Sequence, residues 1–286
     1  MRVYVFYNPK SNNETGIKGL EKVKEILKNE TLDICDITTV NNWNSFFNNI
    51  NKTDSVIIIG GDGTLNHFVN ECDNYTDNTY YFPCGNGNDF ARDIKGDNKL
   101  IPIKKYTKKL PVCMINGKNY KFINGVGMGF DAYVCSKVND LRQETKKSVN
   151  YVGVALKGVF GKYKTTNAKV LVDGKEHNFK NVWFAATMKG RFCGGGFMLT
   201  PKQNRLEEDG KLSLIVVHNA PKLKILYAFL LVFKGKHTKL KKSVTILEGY
   251  DIKVEFDKPS YLQIDGETHT NISSCHLEAN KEYIEV

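Results

Sequence analysis

The run Ser55-Val56-Ile57-Ile58-Ile59-Gly60-Gly61-Asp62-Gly63-Thr64-Leu65-Asn66 restricts the possible folds more than any other stretch of the chain. Its β-branched residues show no polar alternation, which predicts a strand covered on both faces, as in the parallel sheets of α/β domains. Gly60, Gly61 and Gly63 then let the backbone turn sharply with no Cβ between it and a ligand. Leu65, Phe68 and Val69 share a face at helical spacing, so a helix opens at Thr64 with its positive N-terminus beside the exposed amides. Such a turn can bind a polyphosphate. Asp62 is the odd member. A carboxylate among phosphate-binding amides is repulsive unless a cation or hydroxyl stands between, which points to a Mg²⁺-nucleotide. An ordinary strand-to-helix turn with an Asx cap is the other reading these residues allow.

The flanking chain repeats this pattern. Residues 2–7 predict a first strand, and Asn8-Pro9-Lys10-Ser11-Asn12-Asn13-Glu14-Thr15-Gly16 a donor-rich turn on the phosphate side. A helix over residues 19–29, a strand over 32–39 and a short helix over 43–50 lead to the Ser55 strand. Residues 79–84 read as another strand, and Gly85-Asn86-Gly87-Asn88-Asp89 as a second glycine turn opening a helix. The alternation implies a parallel sheet whose strand-end loops share one edge, where α/β sheets bind ligands. From about residue 100 the pattern changes. Hairpins are predicted at Asn116-Gly117 and Asp173-Gly174, with further strands over 212–218, 244–247, 251–256, 261–264 and 282–286. Helices over 132–147, 149–160 and 221–234 interrupt them, the last carrying Leu223, Leu226, Leu230 and Phe233 on one apolar face. The expected fold is α/β with two domains: a Rossmann-like nucleotide-binding domain over residues 1–105 and a mostly antiparallel β-sandwich domain with a few helices over 106–286.

At 286 residues and 41% hydrophobic the chain can bury a substantial core, and its formal charge of +10 favours an anionic partner: nucleotide, nucleic acid or an anionic membrane. Its 7 cysteines are scattered, odd in number and free of any Cys-x-x-Cys pair, which argues against a disulfide framework and a zinc site and for a reducing cytosol. His67, His237 and His276 stand singly, without metal-ligand spacing, and read as surface or packing residues. The first residues pass straight into a strand pattern without a secretion signal, and the longest apolar run, 225–233, is far too short to span a membrane.

Taken together, Asn8-Pro9-Lys10-Ser11, Gly60 to Asn66, Pro83-x-Gly85-x-Gly87-Asn88-Asp89-Phe90-Ala91, Asn124-Gly125-Val126-Gly127-x-Gly129-Phe130-Asp131-Ala132, Glu208-Asp209-Gly210-Lys211-Leu212 and Asp265-Gly266-Glu267 make the chain resemble the soluble bacterial diacylglycerol kinase-like lipid kinases. That family is related to sphingosine kinases and more distantly to NAD kinases. One such motif is weak; the ordered set covers nearly the whole chain.

The resemblance implies an active site in the cleft between a nucleotide-binding domain and a β-rich domain. ATP phosphates would contact Asn8, Pro9, Lys10, Ser11 and Asn12, together with Gly60, Gly61, Asp62, Gly63, Thr64, Leu65 and Asn66, with Thr38 near the nucleotide and Asn86 in the second glycine turn. The family assigns the proton acceptor to the carboxylate after Asp-Gly, here Glu267, with Asp265 the alternative. Asp209 would bind a structural Mg²⁺ through its side chain, with the carbonyls of Leu206 and Lys211, while Asp62, Asp89 and Asp131 would link that cation to the nucleotide or simply cap helices. Two departures stand out: Asn86 replaces a family hydroxyl and Asn12 a glycine, and both leave nucleotide binding intact. The implied activity is γ-phosphoryl transfer from Mg²⁺-ATP to a lipid hydroxyl, diacylglycerol giving phosphatidic acid. Phosphatidylglycerol, a sphingoid base or an NAD-like acceptor, or a non-catalytic nucleotide-binding role, are the alternatives. A cytoplasmic location with peripheral contact at the inner membrane face, basic runs at residues 104–109 and 234–242 meeting lipid headgroups, no nucleic-acid partner and a homodimer complete the expectation.

Overall fold

In the computed structural model, residues 1–9, 11, 14–145, 149–161, 163–206 and 210–279 are described. The chain divides into two units, Met1–Lys108 and Lys109–Val286.

In the first unit β1 (Val3–Tyr7), β2 (Leu32–Asp36), β3 (Ser55–Gly60), β4 (Thr79–Pro83) and β5 (Ile101–Pro102) form one sheet in the order β2-β1-β3-β4-β5. All neighbours run parallel except the β4–β5 edge pair. Val56, Ile57, Ile58 and Ile59 are at most 2% exposed, because both faces of β3 are covered. On one face α1 (Thr15–Ile26) packs Leu20 and Val23 onto Val5, Ile57, Ile59 and Phe82. On the other, α2 (Trp43–Asn48) and α3 (Asp62–Glu71) build an aromatic layer, with Trp43 4.9 Å from Phe6 and 5.0 Å from Phe68 between ring centres. Edge-to-face pairs like these add about 0.5–1.5 kcal/mol each beyond area burial. The unit is completed by α4 (Asp89–Ile94) and α5 (Lys104–Thr107). β2 stops at Asp36 rather than running to residue 39, because Asp36 Oδ1 accepts the Thr38 amide at 2.8 Å and its hydroxyl at 2.7 Å and draws the chain into a tight turn.

The second unit holds β6 (Val112–Ile115), β7 (Lys118–Lys121), β8 (Gly125–Gly129), β9 (Thr166–Val172), β10 (Lys175–Met188), β11 (Phe192–Cys193), β12 (Phe197–Met198), β13 (Leu212–His218), β14 (Val244–Gly249), β15 (Asp251–Ile264) and β16 (Glu267–Glu278). Apart from the β11–β12 ribbon they form one antiparallel array, β14-β13-β10-β8-β15-β16-β6-β7, with β9 between β10 and β15. The long strands β10 and β15 pair with β9 through their first halves and with β8 through their second, with irregular register between the halves. The ring they close wraps a core that includes Met128, Val170, Val182, Val254 and Leu262. The helices α6 (Phe130–Thr145), α7 (Tyr151–Phe160) and α8 (Lys222–Val232) form a second core, in which Phe130, Ala155 and Ile225 pack with Trp183 and Ile215.

Three further expectations differ from this arrangement. The strands expected at 251–256 and 261–264 are one strand, β15. β16 was not expected at all: its polar, exposed residues show no clean alternation, and its place is set by pairing with β15 and β6. The apolar face expected on α8 is turned outward, with Leu223 and Leu230 each 75% exposed while Ile225 and Val232 are buried. The strand expected at 282–286 lies outside the described residues. Among the described residues no helix is long and apolar enough to cross a membrane.

Candidate active site

In the first unit the glycine turns after β3 and β4 touch. A Cβ on Gly85 would lie 2.6 Å from Gly61 Cα, so glycine is required for the two backbones to approach so closely. Gly60 lies over Thr64, whose side chain a Cβ would meet at 2.4 Å, and its carbonyl accepts from the buried Tyr81 hydroxyl at 3.0 Å and the Cys84 amide at 2.8 Å. A Cβ on Gly63 would meet nothing, which leaves that surface open to a ligand. Leu65 is fully buried and anchors α3, and Asn66 accepts from the Asn70 amide group. Asn88, in the left-handed region, closes the second turn through Gly85 with bonds of 2.9 and 2.7 Å, and Asn86 is exposed. In the first loop Ser11 Oγ accepts the Gly16 amide at 2.6 Å, and the Asn8 carbonyl accepts the Ser11 amide. Pro9 is half-buried and Thr38 exposed, while Lys10 and Asn12 lie outside the described residues.

Asp62 stands at the first turn of α3, but its carboxylate points at α4. Its Oδ2 accepts the Asp89 amide at 2.8 Å and its Oδ1 the Phe90 amide at 3.0 Å. Those amides compensate its charge, so no cation is needed to account for an aspartate in the turn. Sequence reading placed Asp62 in the turn before Thr64, facing a cation or capping the helix that follows; the cap it supplies is to a helix 27 residues on.

In the second unit Asp265 and Gly266, both at positive φ, form the tight turn from β15 to β16. Asp265 accepts three backbone amides, from Ile123 at 2.5 Å and from Asn124 and Gly125 at 2.8 Å each. Both of its oxygens are therefore engaged in holding the loop before β8. Glu267, two residues on, is exposed, and its carboxylate has no hydrogen-bond or ion-pair partner among the described residues. The turn is clamped from behind. Cys135 and Asn139 of α6 both reach the Gly266 carbonyl at 3.2 Å, and the Gly266 amide donates to Gln263 Oε1 at 2.9 Å. Buried Arg205 grips the same loop through the Ile123 carbonyl and Asn124 Oδ1. Sequence reading missed Gln263, Arg205, Asn139 and Cys135, which carry no motif of their own; only Asn124 lay in one.

Gln263 Nε2 also donates to Asp131 Oδ2 at 3.4 Å. A Cβ on Gly127 would fall 1.6 Å from that oxygen, so the glycine of β8 makes room for the carboxylate. Asp131 borders a cavity of about 90 Å³ whose walls include Phe130, Val134, Phe184, Phe197 and Phe229. Asp131 Oδ1 is buried without a hydrogen-bond partner among the described residues, and burial raises the carboxyl pKa to about 6. His237 lines the same cavity: its Nε2 is 3.0 Å from the Leu199 carbonyl, which makes it the protonated nitrogen, and Nδ1 is a buried acceptor without a partner. Burial lowers the His237 pKa, so the ring is neutral.

Asp209, the expected Mg²⁺ ligand, lies outside the described residues. Of its expected companions, Leu206 is 50% exposed, and the Lys211 carbonyl accepts Gln203 Nε2 at 2.9 Å.

An α/β unit with touching glycine turns is followed by an antiparallel unit bearing a clamped carboxylate turn. Residues 2–113 match the model of the diacylglycerol kinase catalytic domain, and residues 124–280 that of the YegS C-terminal NAD kinase beta sandwich-like domain. The chain is 30% identical over 233 residues to "Putative lipid kinase YtlR" of Bacillus subtilis, spanning 76% of this chain and 74% of that one. It is 25% identical over 197 residues to a diacylglycerol kinase of Mycobacterium tuberculosis, spanning 66% and 62%. The fold is that of a diacylglycerol kinase crystal structure from Bacillus anthracis, with a TM-score of 0.67 at 19% identity over 99% of this chain and 95% of that one. The chain belongs to the bacterial diacylglycerol kinase-like lipid kinase family, for which ATP is the implied phosphate donor.

Proposed function

We propose that the protein transfers the γ-phosphoryl group of ATP to the hydroxyl of a membrane lipid, with diacylglycerol as the acceptor and phosphatidic acid as the product. The observation that carries this reading is the exposed Glu267 carboxylate, two residues beyond Asp265 on the clamped turn from β15 to β16 and without a hydrogen-bond or ion-pair partner among the described residues. The relative from Mycobacterium tuberculosis is itself named a diacylglycerol kinase.

In the proposed mechanism the glycine turns of the first unit and the N-terminus of α3 hold the phosphates. Glu267 takes the proton of the acceptor hydroxyl as that oxygen attacks the γ-phosphorus, and ADP leaves. Asp265 keeps the turn in place and Gln263 orients it against Asp131. Mg²⁺, when bound, supplies charge neutralisation, and the Lys211 carbonyl with Asp209 would hold it.

A surface supports contact with a bilayer. Leu223, Tyr227 and Leu230 of α8 are 75%, 54% and 75% exposed, and Phe160, at the end of the adjoining α7, is 61% exposed. Lys222, Lys224, Lys234 and Lys236 flank them in sequence, so an apolar face edged with positive charge fits an anionic membrane better than water. The deciding experiment is transfer from γ-labelled ATP to diacylglycerol in mixed micelles, beside phosphatidylglycerol, sphingosine and NAD. Label in phosphatidic acid that disappears in Glu267→Gln supports the proposal; label in NAD alone refutes it.

A further inference from the structure

At the open end of the β15–β16 hairpin, Asp251, His276 and Glu278 share one face of the sheet. The register sets this: Asp251 pairs with Glu278 and Lys253 with His276, and His276 and Glu278 are two apart on one strand. His276 Nε2 lies 3.1 Å from Asp251 Oδ2 and 3.5 Å from Glu278 Oε1, and the three ligand atoms all fall within 4.8 Å of one another. Nε2 is closed off from solvent, yet despite these distances it makes no hydrogen bond. The ring nitrogen thus has two carboxylate oxygens beside it and none in line with an N–H. That arrangement suits a lone pair directed at a cation held between all three groups.

We propose that Asp251, His276 and Glu278 form a binding site for a divalent transition-metal ion of the zinc type. One imidazole nitrogen and two carboxylate oxygens are a donor set that such ions accept and that Mg²⁺ and Ca²⁺, which prefer oxygen alone, do not. Around a tetrahedral ion with bonds of roughly 2.0–2.2 Å, neighbouring ligand atoms stand about 3.3 Å apart; the two nitrogen–oxygen pairs, 3.1 and 3.5 Å, bracket that separation, and the two carboxylates lie within 4.8 Å of each other. The scaffold is rigid. The Asp251 amide and carbonyl are both tied to Asp173, at 2.9 and 2.8 Å, and β16 is held on its other side by β6. The side chains of Asp251, His276 and Glu278 are 42%, 26% and 33% exposed, so an ion can enter from solvent and keep a water as its fourth ligand. From the Asp265-Gly266 turn the site is about 35 Å along the strands. It would therefore staple the open end of the hairpin rather than take part in phosphoryl transfer, and it does not depend on the proposed activity.

The test is titration of the full chain with Co²⁺, which reports its ligands by absorption. The expected result is one equivalent bound with visible d–d bands and no thiolate charge-transfer band, which excludes capture by the free cysteines. His276→Ala and Asp251→Asn should each weaken that binding at least tenfold. In parallel, Zn²⁺ should raise the thermal midpoint of the parent protein, and the rise should be lost in Glu278→Gln with its circular dichroism unchanged. Absence of visible bands at saturating Co²⁺ in the parent, bands accompanied by a thiolate transition, or bands that survive His276→Ala would each overturn the proposal.

Discussion

At the scale of single residues, the two carboxylates of the Asp265-Gly266-Glu267 turn have different work. With three amides on its oxygens, Asp265 serves the loop before β8; exposed Glu267 remains available to accept a proton. Glu267→Gln should lower kcat by at least about 10²-fold, the usual contribution of a general base, with the melting temperature unchanged. Asp265→Ala should instead unfold at lower temperature, because three amides lose their acceptor. Asp131 makes a pH-dependent prediction. Its folded-state pKa of about 6 lies above the ordinary aspartate value of 3.8, so the proton binds more tightly in the folded state. The ionised carboxylate therefore costs stability above about pH 6, and that cost vanishes as the pH falls below the unfolded value. Asp131→Asn should melt higher than the parent at pH 7.5, and the gap should close toward pH 4. A gap independent of pH would refute the role of burial.

At the scale of elements, α4 begins under a cap from another helix. Asp62→Ala should remove two acceptors from its N-terminus and cost about 1 kcal/mol or more, readable by urea denaturation, in addition to any loss of ATP binding. From Ile225 onward α8 is apolar all round, and packing against the sheet and α7 decides which side is covered. Leu223→Ser with Leu230→Ser, both at exposed positions, should leave the melting temperature within a degree or so and reduce co-sedimentation with anionic vesicles. Binding by that double variant equal to the parent's would remove α8 from the membrane contact.

For the whole molecule, the two units have separate cores: Val5, Ile57 and Phe82 in the first, Met128, Val170 and Leu262 in the second. A ligand that binds one folded unit stabilises that unit by mass action, about 2.7 kcal/mol at a hundredfold excess over Kd. ATP is therefore expected to slow hydrogen exchange in β3 and α3 more than in β13 and β14. Equal protection of both would contradict nucleotide binding at the glycine turns.

The local signals in the sequence were those that act within a few residues. An unbroken β-branched run can be satisfied only by burial on both faces, glycine turns mark backbone that must bend or approach closely, and Asn-Gly and Asp-Gly fix hairpins; β3, the β6–β7 turn and the β9–β10 turn follow from these. Strand β16 did not, since its residues are polar and only its partners hold it in register. Nor could spacing reveal that Asp62 caps α4, that Gln263 joins the Glu267 turn to Asp131, or that His276 meets Asp251 and Glu278. Those groups are brought together by loop closure and sheet register, and the energy of such contacts belongs to pairs of residues far apart in the chain, which only the tertiary structure places within hydrogen-bonding or coordination distance.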